Sequence, residues 1–510
     1  MVFRSILFPS GQSELGNSSN EPPEFFVDLN LDQIVANLAE SKPLYSIAPY
    51  YYVPLRRVED ILYRQAVGQD LEDEFLMECV RHFSQKLMTV REHLAQAEKL
   101  HHPYQKRRWF LDGVDVYCGA VSSFAHDLGQ SQLRSKGLLA FREYVADYLQ
   151  SEKFSSLQAK TVKLKEDLSS ITYCLAIKGN RVSVRRFGEE PDYSAVVEAT
   201  FARFQREGAG EVPLTFNDWP EMNHVEAQVL DFVAKLFPDV FASLNEFYEQ
   251  HRDFWDENIA NFDREVQFYI AYLEYISGIK RLGLNFCYPQ ISTSKAVFST
   301  YGFDLALAHK LQLEKRKVVT NDFYLDGQER MIVVTGPNQG GKTTFARMFG
   351  QIHYLASLGL PVPGSQAMLF LVDRVFTHFE KSEDAMSPHG KLQDELVRMR
   401  GILNRATSDS LIVMNEVFAS TTLQDALWIS RRVLQKLSEL DALCVCVTFI
   451  DELASFSEDT VSMVSVTDPD DPTLRTFKLI RCPANGRSFA ISIARKYRLT
   501  YEELKERIKG

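Results

Sequence analysis

The amino-acid sequence predicts a multidomain protein in which an α-helical region with one small β hairpin precedes an α/β domain. The chain has 510 residues, which is too long for one compact core. Apolar residues recur at three- and four-residue spacing up to about residue 170, and the spacing changes to two between 171 and 186. From residue 301 onward, short β-rich runs alternate with helices, which is the pattern of a mainly parallel sheet.

The composition is that of an ordinary globular protein, with 45% hydrophobic and 25% charged residues. No apolar run approaches the roughly 18 residues that cross a bilayer, and the apolar stretch at the start of the sequence is too short for the expected pattern of a signal peptide. We therefore expect a cytoplasmic protein without membrane contact. The net charge of −11 argues against coating nucleic acid by bulk electrostatics, but leaves basic patches at 105–108 and 181–186. A solvated helix end or hairpin explains each patch equally well.

Changes in composition and apolar periodicity along the sequence divide the chain into three parts. Residues 1–24, with Gly, Ser, Asn and a Pro pair, predict a loose leader. Residues 25–300 predict a helical region with a short insertion at 171–223, which begins with a hairpin turned at Gly179-Asn180. Residues 240–278 keep their apolar positions on one stripe, and a helix of that length spans roughly 50 Å or more, enough to act as a lever.

Residues 301–510 form the third part, the α/β domain. Its predicted strands are 331–334, 368–376, 411–414, 442–447, and 461–466 paired with 474–480. The seven cysteines include no CxxC pair, so we interpret them as reduced, mostly buried thiols; zinc ligation would lack support from their spacing.

One segment of this domain fits the phosphate-binding pattern GxxxxGK[ST]. Its residues are Gly336, Pro337, Asn338, Gln339, Gly340, Gly341, Lys342 and Thr343. An apolar strand precedes it and a helix follows it, which disfavours the alternative of a chance glycine turn. Glycines let backbone amides face phosphates, the helix N-terminus adds positive potential, Lys342 reaches the β and γ oxygens, and Thr343 binds magnesium. The segment predicts ATP and Mg²⁺ binding.

A second nucleotide element is predicted where the apolar run 411–414 ends in Asn415 and Glu416. Glu416 is the candidate general base for an attacking water. Asn415 stands where such sites usually place an aspartate, and its amide oxygen is a weaker magnesium ligand because it has no charge. The alternative for Glu416 is a surface carboxylate at a strand end.

At these residues the chain resembles the MutS DNA mismatch-repair family, whose ATPase domain is of the ABC-type α/β P-loop class. TGPNQGGKTT at 335–344 differs from the family's TGPNMGGKST at two places, and the resemblance adds Thr344 to the nucleotide-binding residues. Further resemblances follow in order at Asn321-Asp322 (the adenine-side loop), 372–376, Glu395 and 486–507. Weaker ones lie upstream at 63–67, 171–184 and 287–289, which match its core, clamp and lever segments.

Departures from the family pattern are equally specific. Only about 50 residues precede the core-like segment, so the family's mismatch-reading domain is not expected here. Where the family has DEIGRGTS, this chain has NEVFASTT from Asn415 onward, and Phe449 replaces a histidine. Gly390, beside Lys391, aligns with the serine that acts on the partner's nucleotide. We therefore expect ATP binding with slow hydrolysis.

The resemblance implies a homodimer with two composite ATP sites that binds duplex or branched DNA without selecting single mismatches. A second hypothesis is a nucleotide-controlled switch or scaffold of the same fold that binds a protein partner, with little or no hydrolysis. A third, an unrelated P-loop kinase or transport ATPase, does not explain the ordered matches outside the P-loop.

Overall fold

The computed structural model describes most of the chain in two compact units. The described residues are 3–9, 21–179, 181–188, 196, 200, 222–380, 390–468, 474–484 and 499–509. The first unit comprises residues 1–3, 73–133 and 139–263, and the second comprises 4–72, 134–138 and 264–510. This division differs from the predicted boundary at residue 300. Apolar periodicity predicts helices, but it does not show which of them group with the α/β elements.

The helical part confirms the periodicity of its sequence. Its α-helices are Phe25–Asp28, Leu31–Glu40, Val58–Asp70, Glu74–Lys99, Pro103–Gln130, Lys136–Gln150, Glu152–Ser169, His224–Leu236, Pro238–Gln250 and Glu257–Lys280. Asp73 caps the helix Glu74–Lys99 by accepting the Leu76 N–H at 2.9 Å, and the apolar positions that follow at helical spacing are buried.

The predicted hairpin is also present. Strands Tyr173–Lys178 and Arg181–Arg186 pair antiparallel, with Tyr173 opposite Arg186. Asn180 of the predicted turn, and most of the insertion beyond residue 188, lie outside the described residues.

The single long helix predicted over 240–278 is wrong. Pro238–Gln250 and Glu257–Lys280 are separate helices. Asp256 starts the second one, because its Oδ1 accepts the N–H groups of Asn258 at 3.0 Å and Ile259 at 3.1 Å. Phe254, in the break, is buried, so the apolar pattern continues where the helix does not. The second helix, at 24 residues, is roughly 36 Å long.

Residues 3–9 are not a loose leader, which corrects that prediction. Most of them are buried. The Ile6 N–H donates to Glu265 Oε2 at 2.8 Å, and Arg64 Nε donates to the Leu7 carbonyl at 2.9 Å. Residues 10–20 lie outside the described part. The polar composition of those later residues hid a short apolar segment that belongs to the core.

The α/β region contains the predicted, mainly parallel sheet. Its six strands lie in the order Val375–Phe379, Leu411–Asn415, Leu443–Val447, Met331–Thr335, Thr460–Thr467 and Arg475–Arg481. All pairings are parallel except the last, which is antiparallel. Three central strands are buried at every residue, as expected for a parallel sheet that is covered on both faces.

A second sheet of four strands corrects the predicted strand 368–376. That sheet has the order Gln290–Ser292, Gln366–Phe370, Val297–Gly302 and Asn321–Leu325. The chain therefore leaves one sheet at Phe370 and enters the other at Val375. Val372 between them is buried, so the apolar run conceals the break.

The described part of this unit contains further strands and helices. Phe286–Cys287 pairs with Val362–Pro363, and the further α-helices are Leu305–Leu313, Lys342–Ser357, Lys391–Arg405, Leu423–Leu440 and Tyr501–Lys509. None of the described helices has the length and apolar character needed to cross a membrane.

The cysteines are free thiols, as expected, but fewer are buried than predicted. Cys118, Cys444 and Cys446 are buried, and the other four are half-buried. Within the described ranges, no group of His, Cys, Asp or Glu side chains is arranged to hold a metal ion.

Candidate nucleotide-binding site

The glycine-rich loop joins the buried strand Met331–Thr335 to the helix Lys342–Ser357. Gly336 and Gly341 have φ values of 113° and 91°, in the region that side-chain-bearing residues avoid. A Cβ on Gly336 would lie 2.9 Å from the Ser465 carbonyl oxygen, and one on Gly340 would collide with the Ser465 hydroxyl. That hydroxyl donates to the Gly340 carbonyl at 2.7 Å. The loop therefore needs its glycines, and the neighbouring strand fixes its path.

Lys342 lies inside the loop and is only 4% exposed. Its Nζ donates to Gly336 O at 2.9 Å, Pro337 O at 3.1 Å and Asn338 Oδ1 at 3.3 Å. Burial lowers the pKa of Lys342, and the nearby Glu416 carboxylate opposes that shift. These three acceptors are uncharged oxygens. The loop thus presents a cation together with glycine amides and a helix N-terminus, a donor set that fits a phosphate group.

Thr343 and Asn415 meet at the carboxyl edge of the sheet. The Thr343 hydroxyl donates to Asn415 Oδ1 at 2.8 Å. Thr343 is the second residue of the helix Lys342–Ser357, and Asn415 ends the strand Leu411–Asn415. That strand lies two positions in the sheet from Met331–Thr335, the strand before the loop. The two predicted magnesium ligands are therefore neighbours, and both offer oxygen atoms, which Mg²⁺ prefers.

Glu416 follows directly in a constrained turn. Its φ is 51°, and that of Phe418 is 60°. The Glu416 N–H donates to the Val447 carbonyl at 2.9 Å, and its side chain is half-buried. The predicted base therefore lies beside the Thr343–Asn415 pair on a backbone that non-glycine residues rarely adopt.

Glu395 anchors that turn. Its side chain is 2% exposed, and its Oε2 accepts the Phe418 N–H at 3.0 Å. Burial raises the pKa of Glu395. Sequence comparison identified Glu395 without assigning it a role; the structure assigns it a contact with the turn that carries Glu416.

The Asn321 side chain, a predicted nucleotide contact, forms hydrogen bonds with the protein backbone. Its Nδ2 donates to the Phe477 carbonyl at 3.1 Å, and its Oδ1 accepts the Leu479 N–H at 2.8 Å. Asn321 therefore holds the strand Arg475–Arg481 beside the P-loop. Ser465 and Phe477 also lie next to the loop. The sequence analysis did not identify them as site residues, because their sequence pattern is that of ordinary strand residues.

The other predicted positions are dispersed. Thr344 lies in the first turn of the helix Lys342–Ser357, and Gln339 has a φ of 61°. Phe449 is 48% exposed. Gly390 precedes the helix Lys391–Arg405 as its N-cap. The segment 486–491 lies outside the described residues.

The basic patch at 105–108 is largely neutralised by carboxylates. Lys106 Nζ lies 2.9 Å from Glu98 Oε2, and Arg108 Nε lies 2.9 Å from Asp112 Oδ2. In the hairpin, Arg186 donates to the Leu236 carbonyl. These contacts favour the solvated-charge interpretation of the first patch.

The strand, glycine loop, helix and mainly parallel sheet define the class of P-loop α/β domains. Residues 332–506 match the family model described as MutS domain V. The α/β region of the chain is therefore similar to domain V of the MutS family, and the relatives below support the same family.

Three curated relatives carry the name DNA mismatch repair protein MutS. That of Clostridium kluyveri is 27% identical over 296 residues, covering 56% of this chain and 33% of the relative. That of Alkaliphilus metalliredigens is 30% identical over 226 residues, covering 43% and 24%. That of Thermotoga maritima is 25% identical over 285 residues, covering 54% and 34%. The matched part is thus about a third or less of each relative's length.

Proposed function

We propose that this protein binds ATP at the P-loop and, as a dimer, binds duplex or branched DNA under the control of ATP binding and slow hydrolysis. The observation that carries the nucleotide part is the Thr343–Asn415 hydrogen bond of 2.8 Å beside the buried Lys342. It unites the two separate sequence elements that a P-loop ATPase needs. The DNA and dimer parts rest on the similarity to MutS proteins, which is an argument by analogy.

Each side chain of the site has a definite task in this proposal. Loop amides and Lys342 bind the phosphates, and Thr343 and Asn415 hold magnesium, which supplies neutralisation of phosphate charge. Glu416 takes the proton of the attacking water. The uncharged Asn415 makes the site weak in hydrolysis without preventing binding.

The nucleotide part is tested by Lys342→Ala. We expect the variant to lose ATP binding in calorimetry while its circular dichroism stays unchanged, because the substitution removes a phosphate contact from a loop. Lys436→Ala, at an exposed lysine paired with Glu439, is the matched control and should bind ATP normally. Unchanged ATP affinity in Lys342→Ala would refute the assignment of the P-loop.

The dimer part is tested by light scattering at micromolar protein. We expect a dimer that ATP and magnesium tighten, because the proposed composite site takes residues from both subunits. A monomer with and without ATP contradicts this part.

The DNA part is tested by shift assays with linear, mismatched and branched DNA over a range of salt. Phosphate contacts make affinity fall steeply with salt, and we expect little preference for a single mismatch over perfect duplex. Strong selectivity for one mismatch would contradict the proposal.

A second candidate is a nucleotide-controlled switch that binds a protein partner. The pairing of Lys106 and Arg108 with carboxylates, the net charge of −11 and the exposed Phe449 favour it. An ATP-dependent change in oligomeric state without any DNA shift at low salt would select this candidate.

A further inference from the structure

A cavity of about 260 Å³ opens beside the C-terminal end of the helix Lys342–Ser357. Its walls come from residues 23–25 and 52–56, from that end of the helix, and from residues 372–376, which lead into the strand Val375–Phe379. The volume is below the roughly 300–1,000 Å³ of sites for small-molecule ligands. The cavity is therefore sized for a single side chain rather than for a cofactor.

Aromatic rings form firm walls of this cavity. Phe25 packs edge to face on Tyr354, with ring centroids 5.2 Å apart, and Tyr354 is 2% exposed. The Tyr354 hydroxyl donates to the Tyr51 carbonyl at 2.8 Å, and the Ser357 hydroxyl donates to the Tyr354 carbonyl at 2.6 Å. Because these lining hydroxyls already donate within the protein, the cavity suits an apolar side chain better than a nucleic-acid base, whose polar edge needs partners.

Two exposed arginines, Arg56 and Arg374, also line the cavity. The backbone at each is held in place. The Leu55 N–H donates to the Ser357 carbonyl at 2.9 Å, and the Arg374 carbonyl accepts the Leu411 N–H at 2.8 Å. Across the described part of the chain, no hydrogen bond or ion pair engages either guanidinium. Both therefore keep their donors for a group from outside.

Asp373 is the only carboxylate among the described residues that line the cavity. Its Oδ1 accepts the Ser410 hydroxyl and its Oδ2 accepts the Thr407 hydroxyl, each at 2.8 Å. Asp373 is thus engaged elsewhere and forms no ion pair with the arginines. Guanidinium groups bind carboxylates through two parallel hydrogen bonds, so the rim of the cavity complements an acidic partner.

We propose that this cavity, with Arg56 and Arg374, is the docking site for an acidic peptide of a partner protein, which inserts one aromatic or aliphatic side chain. The proposal goes beyond the proposed function, because it involves neither nucleotide nor DNA. The aromatic walls select the inserted side chain and the arginines select its acidic neighbours. Apolar anchors in pockets, together with arginines, carry most of the binding energy in protein interfaces.

Fluorescence anisotropy with labelled pentapeptides tests the site on the full chain. The probe has tryptophan between two pairs of glutamates. It is compared with a peptide in which alanine replaces tryptophan and with one in which lysines replace the glutamates. We expect saturable binding of the probe that weakens with salt, and about ten-fold weaker binding of the other two peptides.

Three variants assign that binding to the cavity. Arg56→Ala combined with Arg374→Ala should weaken probe binding about ten-fold, the scale of two exposed ion pairs, and remove most of its salt dependence. Arg57→Ala is the matched control, because this neighbouring arginine pairs with Glu59 at 3.5 Å and does not line the cavity. It should bind the probe like the wild type. Tyr52→Ala removes part of the wall and should abolish the advantage of tryptophan over alanine.

The arginine variants change exposed side chains, so their thermal unfolding should match that of the wild type and their binding remains interpretable. The proposal is overturned if the wild type does not bind the probe saturably, or if it binds the alanine peptide equally well. An equal loss in Arg57→Ala and in the double variant would show unspecific attraction by charge and would also overturn it. Displacement of the probe by short single-stranded DNA would assign the arginines to phosphate groups instead.

Discussion

The Thr343 hydroxyl donates a 2.8 Å hydrogen bond to the Asn415 amide oxygen and thereby joins the P-loop helix to the strand that leads to Glu416. An aspartate at 415 would accept the same bond and add a negative charge. The pair is therefore a neutral version of a site that usually carries charge.

Asn415→Asp should raise the rate of ATP hydrolysis several-fold and lower the magnesium concentration needed for nucleotide binding. Charge-assisted contacts are about twice as strong as neutral ones, which gives a gain of about 1 kcal/mol. Phosphate release under saturating ATP measures the first effect, and magnesium titration of nucleotide binding measures the second.

Glu416→Ala is the paired control for that experiment. It removes the candidate base but neither partner of the Thr343–Asn415 bond, so ATP binding should persist while turnover disappears. If Asn415→Asp is no faster and Glu416→Ala remains as active as the wild type, these residues do not form the hydrolytic site.

Ile6→Ala should destabilise the protein by about 2–5 kcal/mol, because Ile6 is fully buried and its removal leaves a cavity. Arg4→Ala, two residues away and exposed, should change stability by less than about 0.5 kcal/mol. Denaturant unfolding of the two variants compares them. Equal, small effects would mean that the N-terminal segment does not belong to the core.

Local patterns predicted much of the fold. The P-loop strand, the hairpin and the pairing of 461–466 with 474–480 follow from alternation and turn residues over short distances. The breaks at residues 251–256 and 371–374 did not follow, because Phe254 and Val372 are buried and continue the apolar pattern across them. Periodicity records burial, and burial continues where an element ends.

The candidate site was predictable where chemistry lies within a contiguous motif. Lys342 and Thr343 lie in one such motif, and Asn415, at the end of a second motif, lies next to Thr343 in the structure. Ser465 and Phe477 lie beside glycines about 125 residues or more earlier in the chain. The φ of 58° at Phe477 leaves no signal in the sequence. Site residues of this kind are identified only from the three-dimensional structure.

His353 should make the protein less stable in mild acid. Burial lowers its pKa to about 4, compared with about 6.5 in an unfolded chain. The unfolded state therefore gains a proton first as pH falls, and stability is lost between about pH 6.5 and 4, by on the order of 3 kcal/mol.

His353→Leu should flatten that part of the profile of unfolding free energy against pH. Burial also lowers the pKa of His378 to about 4, so a double variant should lose both contributions. Profiles of wild type and variants with the same slope between pH 6.5 and 4 would contradict this origin of the acid sensitivity.

Glu395 should control turnover through the position of the turn that carries Glu416. Its Oε2 accepts the Phe418 N–H at 3.0 Å, and Phe418 has a left-handed backbone. Glu395→Ala leaves that N–H buried without an acceptor, at a cost of about 1–3 kcal/mol. We expect phosphate release to fall while ATP affinity stays the same, because Lys342 and the loop glycines are unchanged.

Glu395→Gln distinguishes the contact from the charge. Glutamine keeps an acceptor oxygen, so turnover should recover relative to Glu395→Ala.

Burial raises the pKa of Glu395, so the ionised carboxylate opposes folding at neutral pH and the protonated form does not. The glutamine variant should therefore be more stable than the wild type at pH 7, and the difference should shrink as pH falls and the wild-type carboxyl group takes up its proton. A stability difference that does not change with pH would show that the buried charge has no such effect, and normal turnover in Glu395→Ala would show that the turn keeps its position without this contact.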